Sequence, residues 1–260
     1  MTEVKYRDKK LILKQNHAEF EMDTNLWSVK VGDKKYLFND AEKVEIEEKE
    51  NSFLFHFTKI VNGLSVDVQL KENDNCITFS LIPVIDTFVF DEIVFPGVIE
   101  NENGKLVIPF QQGILLDSEE NIAMRPSFGG VFGCADAYVN ALGFYSDTKS
   151  YMWFVDDYYD SGYEIVNGTY SKICMRSMSS LAHVSYTRNM RLFLFDSVFD
   201  YNEMAHLTRS LWDEKGILTL KEKAERTPAL KQLIGSCVYH TGIHSKISRD
   251  SRYYHMFGEN

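Results

Sequence analysis

Proline, long apolar runs and positive charge are what this sequence has least of. Five prolines stand against 18 phenylalanines, 14 tyrosines and three tryptophans in 260 residues. A chain so aromatic and so poor in proline is typical of a folded sheet protein, not of a disordered one. No apolar run approaches the length of a membrane span, and the charged start, Met1 to Asp8, does not resemble a secretory signal. The sequence therefore predicts a cytoplasmic protein.

The shortage of basic residues limits the partners. With 28 lysines and arginines against 38 acids, the net charge is −10. Nucleic acids and anionic membrane surfaces are bound through basic patches, so neither is an expected partner. A neutral ligand such as a carbohydrate, or another small polar molecule, stays open.

Closely spaced cysteines are also lacking, since Cys76, Cys134, Cys174 and Cys237 lie far apart. Zinc sites use closely spaced pairs, so no metal site is predicted. The apolar or small neighbours of each cysteine predict buried free thiols in a reducing compartment. No cofactor is expected.

What the sequence does contain is alternation of apolar and polar residues through residues 1–199. Phe53, Phe55 and Phe57 share one face of a predicted strand, and Leu64 to Leu70 has the same period of two, with Asn62-Gly63 as the hairpin turn between them. Val44 and Ile46 alternate with charged residues and predict another half-buried strand. Turns are expected at Pro96-Gly97, and Pro109 indicates an edge strand or a bulge. Further strands are predicted near residues 76–84, 138–145, 151–155, 170–175 and 190–195. This spacing indicates a large antiparallel sandwich or barrel.

A different pattern begins at Asp200. Asp200 and Glu203 have the spacing of a capping box, the apolar residues that follow recur with helical period, and Gly216 can end the helix. Thr227-Pro228 predicts a second helix start, and Ile234 to Tyr239 reads as a buried strand. We therefore expect a helical linker over residues 200–226 and the opening of an α/β unit, or a disordered segment, over residues 227–260.

The richest polar and aromatic cluster runs from Trp153 to Glu164. Flat aromatic rings cover the apolar face of a sugar and carboxylates accept its hydroxyl hydrogens, so Trp153, Asp156, Asp157 and Tyr159 are candidate carbohydrate contacts. A solvated loop is the plainer alternative, and calcium is a third. Asp156 and Asp157 are neighbours on an extended segment, which makes a catalytic carboxylate pair improbable.

Three other features invite a functional interpretation. Arg125 could present its guanidinium to a ligand or form a structural ion pair. Gly129 to Gly133 lacks the lysine and the helix of a phosphate loop and is interpreted as a turn. His240 and His244 have a metal-like spacing, but they lack helical context and a glutamate partner.

Two segments carry a family resemblance. Tyr201 to Lys223, with Leu211-Trp212-x-x-Lys215-Gly216 at its centre, resembles a linker of endo-α-N-acetylgalactosaminidase-like glycoside hydrolases. Pro228-x-Leu230-x-x-Leu233-Ile234-Gly235 is similar to the start of the first barrel strand in that family, and residues 107–115 to one of its edge segments. The resemblance implies a galactose-mutarotase-like β-supersandwich that precedes a catalytic (β/α)₈ barrel. It also implies that the catalytic carboxylates lie on later barrel strands, so no catalytic residue is assigned to this chain.

Three functions follow from these observations. The leading one is a non-catalytic, carbohydrate-associated domain that packs against a catalytic barrel, here truncated at its start. The second is a stand-alone sugar epimerase or mutarotase, with His183 and Tyr186 in a cleft facing a carboxylate. The third is a structural module that self-associates through the apolar surface around Trp212 and Leu218.

Overall fold

The computed structural model describes residues 2–110, 113–126, 128, 137 and 139–233. Within these residues the chain is mainly antiparallel β-structure. The strands are β1 (Thr2–Arg7), β2 (Lys10–Gln15), β3 (Ala18–Asp23), β4 (Ser28–Val31), β5 (Lys34–Leu37), β6 (Lys43–Lys49), β7 (Ser52–Val61), β8 (Leu64–Glu72), β9 (Ile77–Asp86), β10 (Glu92–Val98), β11 (Lys105–Ile108), β12 (Ile114–Asp117), β13 (Ala141–Tyr145), β14 (Ser150–Val155), β15 (Ser161–Val166), β16 (Lys172–Met178) and β17 (Arg188–Phe195). The helices are α1 (Tyr201–Glu214) and α2 (Leu220–Arg226), followed by a 3₁₀ segment at Pro228–Leu233.

The described strands form three sheets. The large sheet has nine strands in the order β12-β11-β13-β14-β17-β9-β8-β7-β6. The middle sheet has five, β15-β16-β10-β4-β5, and the small sheet is the meander β1-β2-β3. This arrangement is consistent with a β-sandwich and confirms the predicted antiparallel class.

Aromatic rings from the large and middle sheets meet in the core. The indole of Trp27, just before β4, lies edge-on to Phe55 and Phe95, with ring centroids 5.7 and 5.3 Å apart. Phe53, Phe55 and Phe57 of β7 are all buried, and so are the alternate residues of β8 from Leu64 to Leu70. The period-two prediction is confirmed for these two strands, and Gly63 turns between them at a φ of +88°.

The predicted turn at Pro96-Gly97 is wrong, because both residues lie inside β10. The pairing of β10 with β16 shifts register between Ile93 and Gly97, which marks a bulge. Gly97 has a φ of +90° there, and the Trp27 indole nitrogen donates to the Pro96 carbonyl at 2.8 Å. The proline and glycine signals therefore mark an irregularity within a strand and not the strand's end.

Two further predictions, about strands near the edges of the large sheet, are wrong. Val44 and Ile46 are 37% and 41% exposed, because β6 is an edge strand whose residues are all exposed. Pro109 does not put its strand at an edge. β11 ends at Ile108, so the proline has no ladder hydrogen bond to disrupt, and β12 is the outermost strand.

The first helix begins as predicted. The Asp200 carboxylate accepts from the backbone N–H of Glu203 at 3.2 Å, and the Glu203 carboxylate accepts from that of Asp200 at 2.9 Å. The helix lies close to β13 because Gly143 has no side chain, and a Cβ there would sit 2.9 Å from Met204 Sδ. After Glu214, Gly216 takes the left-handed conformation with a φ of +70°.

By internal contacts the chain divides into two units, residues 1–209 and residues 210–260. In the second unit a helical segment starts at Pro228 as predicted, but it is the 3₁₀ helix Pro228–Leu233. Thr227 also ends α2, which begins at the Thr219–Glu222 capping box. The predicted strand Ile234–Tyr239 lies outside the described residues. No described helix combines the length and the apolarity that a membrane crossing requires.

Candidate functional site

Trp153, the expected stacking platform, is a core residue. Its side chain is 0% exposed, and its ring packs edge-on against Phe79 with centroids 5.3 Å apart. Alternate residues of β14 point to opposite faces, and the side of the strand that carries Trp153 faces the sandwich interior. The role expected for Trp153 is therefore corrected from sugar contact to core packing.

Asp156 and Asp157 both hold neighbouring strand β17 in place. The carboxylate of Asp156 accepts two hydrogen bonds from the Arg191 guanidinium, each 3.0 Å long. Asp157 accepts from the backbone N–H and the side-chain amide of Asn189, at 2.8 and 2.9 Å. The two acids thus bind different residues of β17.

Tyr159 is the exposed member of the predicted cluster. Its side chain is 74% exposed, and its ring stacks on Tyr158 at a centroid distance of 4.5 Å. The next residue, Asp160, accepts a 3.0 Å hydrogen bond from the Tyr186 hydroxyl. Burial, together with this hydrogen bond, raises the pKa of Tyr186 to about 12. We call the loop from Asp156 to Asp160 the rim loop.

Arg125 takes part in a charge cluster centred on Glu92. Its guanidinium donates to both Glu92 oxygens, at 2.7 and 2.5 Å, and to Glu164 at 3.2 Å. Arg176 donates to Glu92 from the other side at 3.3 Å, and its burial lowers the pKa of its guanidinium. The structural ion pair was the plainer interpretation of Arg125, and this geometry agrees with it.

His183 and Tyr186 lie in one loop but face different carboxylates. His183 Nδ1 is 3.7 Å from an oxygen of Asp86, whereas Tyr186 binds Asp160. The Asp86 carboxylate also accepts the backbone N–H groups of Val184 and Ser185, at 3.2 and 2.8 Å. The loop therefore uses Asp86 to hold its own backbone.

An apolar groove, which the sequence reasoning did not identify, runs beside the first half of α1. It has a volume of about 480 Å³. Two of its side chains, Leu115 and Tyr201, are 45% and 49% exposed. The other lining residues are Val107, Ile108, Pro109, Gly113, Ile114, Val139, Ala141, Leu142, Met152, Met204, Ala205 and Thr208.

A second, polar concavity opens between the turn before β11 and the turn after β13, with a volume of about 600 Å³. Asp117, Lys105 and Tyr145 lie directly opposite one another on β12, β11 and β13, and Lys105 forms an ion pair with Asp117. We call this the polar concavity; its remaining lining residues are Glu102, Asn103, Gly104, Ser146, Asp147, Thr148 and Tyr170. The sequence reasoning missed it because its residues come from four separate segments.

Sulfur and metal chemistry find little support within the described ranges. Cys76 and Cys174 are buried free thiols as predicted, and burial raises the pKa of the Cys174 thiol to about 12. Cys134 and Cys237 lie outside the described residues, as do Gly129 to Gly133 and the pair His240 and His244. No cluster of three or more histidine, cysteine or acidic side chains suited to a metal occurs among the residues that the structure describes.

Comparison with known proteins gives a likeness of fold. No protein-family model and no curated protein matches the sequence. Among solved structures, the α-N-acetylgalactosaminidase NagBb from Bifidobacterium bifidum in complex with GalNAc aligns with a TM-score of 0.80 at 22% identity. The same enzyme in its Gal-NHAc-DNJ complex and in its ligand-free form aligns with TM-scores of 0.78 at 21% identity. Each alignment covers 97% of this chain but 44% of the enzyme, so the chain spans less than half the length of the structures that it matches.

Proposed function

We propose that this chain is a non-catalytic, carbohydrate-associated domain of a glycoside-hydrolase-like protein, against which a catalytic domain packs. The observation that carries the proposal is the fold likeness to an α-N-acetylgalactosaminidase, which extends over 97% of this chain and 44% of that enzyme. A domain that corresponds to part of a glycosidase is expected to support the catalytic part rather than to replace it.

The apolar groove supports such a partner domain. A mostly apolar depression with half-exposed Leu115 and Tyr201 is costly to leave in water, and surfaces of this kind are commonly covered by another protein surface. We assign the catalytic domain of the same protein as its occupant, because the matched enzyme has more than half of its length beyond the aligned part.

The acids of the rim loop also favour a non-catalytic role. A glycosidase needs two carboxyl groups whose oxygens are available to the sugar and to water. Asp156 instead has both oxygens engaged by Arg191, and Oδ2 of Asp157 accepts two hydrogen bonds from Asn189. No catalytic residue is proposed for this chain.

The gene sequence beyond the codon for Asn260 tests this proposal directly. We expect an open reading frame that encodes a second domain, and we expect the longer protein to hydrolyse a nitrophenyl α-N-acetylgalactosaminide that the 260-residue chain leaves intact. A stop codon after Asn260, or equal hydrolysis by the short chain, would contradict the proposal. Replacing Ala205 in the groove by Asp should lower the activity of the longer protein without changing the fold of the short one.

A stand-alone epimerase or mutarotase is the alternative, and one observation favours it. His183 lies near Asp86 and Tyr186 is paired with Asp160, which gives two candidate proton-transfer pairs in one loop. Anomer interconversion followed by NMR tests this alternative. Catalysis that is lost in both His183→Ala and Tyr186→Phe would support it, and a rate equal to that of buffer alone would exclude it.

The third proposed function is self-association through the surface around Trp212 and Leu218. Both side chains are half-buried, while nearby Ile217 and Leu220 are 40% and 54% exposed. Light scattering would show a dimer that Leu220→Glu dissociates. A monomer at all concentrations would count against this surface as a contact between copies.

A further inference from the structure

We infer that the polar concavity is a binding site for a neutral saccharide, distinct from the rim loop that composition singles out. The ligand class rests on the proposed function, whereas the site itself rests on the side chains and the hydrogen bonds around it. Two tyrosines, Tyr145 and Tyr170, line a depression of about 600 Å³ together with acid, amide, hydroxyl and ammonium groups. This mixture matches a ligand with an apolar ring face and several hydroxyl groups.

Two buried serines next to lining residues join the turns that border the concavity. Ser118 Oγ donates to the Glu102 carbonyl and accepts from the Gly104 N–H, both at 2.9 Å. Ser171 Oγ donates to the Glu120 carbonyl at 2.5 Å, and its N–H donates to the Ser118 carbonyl at 2.6 Å. These hydrogen bonds join the turns that border the site, so the backbone there is held in place before any ligand binds.

Close packing also fixes the turn before β11, which borders the concavity. A Cβ on Gly104 would lie 2.4 Å from the Tyr145 carbonyl and 2.7 Å from the Phe144 ring, so the turn before β11 presses directly on β13. The turn after β13 is anchored to the same border, because Ser146 and Thr148 donate to one Glu102 oxygen at 2.8 and 3.0 Å. Only a glycine permits the first contact without displacement of its neighbours.

Several groups at this surface can still serve a ligand. Asp147 is exposed at the tip of the turn between β13 and β14, and Tyr170, which also lines the concavity, is half-buried. The Tyr145 hydroxyl is protonated at neutral pH and can donate a hydrogen bond, and burial raises its pKa further from neutrality. A sugar hydroxyl can donate to the Asp147 carboxylate while a ring face lies on Tyr170.

The test is saturation-transfer NMR with methyl α-N-acetylgalactosaminide and methyl α-galactoside as probes, titrated into the 260-residue chain. We expect saturable binding in the millimolar range, which Tyr170→Ala weakens about tenfold through loss of the aromatic surface. Tyr170→Phe should keep most of the affinity, because the ring remains. Tyr159→Ala, the same change at the exposed tyrosine of the rim loop, is the matched control and should leave binding unchanged.

Asp147→Asn is a second variant that separates loss of binding from loss of folding, because this exposed turn residue can change without disturbing the core. It should weaken binding several-fold while the thermal unfolding curve stays in place. Absence of saturable binding to either probe would overturn the inference, and so would binding that Tyr159→Ala removes and Tyr170→Ala preserves. Neither result bears on the reading frame beyond Asn260, so failure of this site is distinguishable from failure of the proposed function.

Discussion

The rim loop and the polar concavity have similar composition but use their side chains differently. Both combine tyrosines with carboxylates. In the rim loop the acids hold the fold together, since Asp156, Asp157 and Asp160 bind Arg191, Asn189 and Tyr186. At the concavity Ser146 and Thr148 bind Glu102 and Lys105 pairs with Asp117, while backbone groups and two buried serines join the bordering turns. All three acids of the rim loop bind other parts of the fold, whereas the saccharide proposal for the concavity uses Asp147, Tyr145 and Tyr170 of its lining.

The comparison shows that a run of polar residues in the sequence does not reveal which partners their side chains bind in the fold. Acids next to one another in sequence attract attention, yet each pairs with whichever strand lies beside it in the sheet. For Asp156 and Asp157 that strand is β17, more than thirty residues further along the chain. A binding surface needs polar groups whose structural requirements are met by others, and sequence proximity does not reveal which groups those are.

The largest expected effect is a difference in unfolding free energy between a variant that removes a contact to the rim loop and a variant at the polar concavity. Arg188 is 1% exposed and donates to the carbonyls of Asp160 and Met178 at 3.0 and 2.6 Å, and to that of Val184 at 3.2 Å. Arg188→Met keeps the aliphatic volume but removes these donors, so we expect a loss of about 3 kcal/mol in the free energy of unfolding, measured by denaturant titration.

Lys105→Met is the matched control at the polar concavity. The ion pair of Lys105 with Asp117 is exposed, and its loss should change the unfolding free energy by less than about 0.5 kcal/mol. Equal losses in the two variants would show that the rim loop is no more structural than the concavity.

A smaller difference in unfolding free energy is expected when one acid of each region is replaced by the isosteric asparagine. Asp156→Asn weakens a partly buried, doubly hydrogen-bonded ion pair and should cost about 1 kcal/mol. Asp147→Asn, at the exposed turn of the concavity, should cost less than about 0.5 kcal/mol. A double-mutant cycle with Arg191→Gln checks that the first loss comes from this pair, because the Asp156 and Arg191 effects should then be non-additive.

The sequence was most informative where local chemistry decides the structure. The alternation in β7 and β8, the turn at Gly63 and the Asp200–Glu203 cap all depend on residues close together in the chain, and all were predicted. The capping box at Thr219–Glu222 carried an equally local signal that was overlooked. Burial of Trp153 and exposure of Ile46 were not predictable in this way, because they depend on which strands lie at the centre and at the edge of the large sheet.

The candidate site was less predictable than the fold for the same reason. The polar concavity joins residues near 103, 117, 147 and 170, and no local pattern links them. The hydrogen bond from the Ser171 N–H to the Ser118 carbonyl, at 2.6 Å, brings two of these segments together, but a serine at either position gives no sign of it.

The smallest expected effect is a pH dependence confined to the polar concavity. Burial alone would raise the pKa of Glu102, but hydrogen bonds from Ser146 and Thr148 and the nearby Lys149 outweigh it, so the pKa is lowered from 4.5. A carboxyl group whose pKa is lower in the folded state stabilises the fold at pH values above its unfolded pKa, and this contribution is lost as the pH falls through the folded value. Because Glu102 is 43% exposed, the contribution should be only a few tenths of a kcal/mol. The amide signals of Ser146 and Thr148 should therefore shift more below pH 4.5 in the wild type than in Glu102→Gln, where only the other carboxyl groups titrate. Identical titrations in both proteins would mean that Glu102 does not anchor this turn, and the concavity would then lose one of the contacts that hold it open for a ligand.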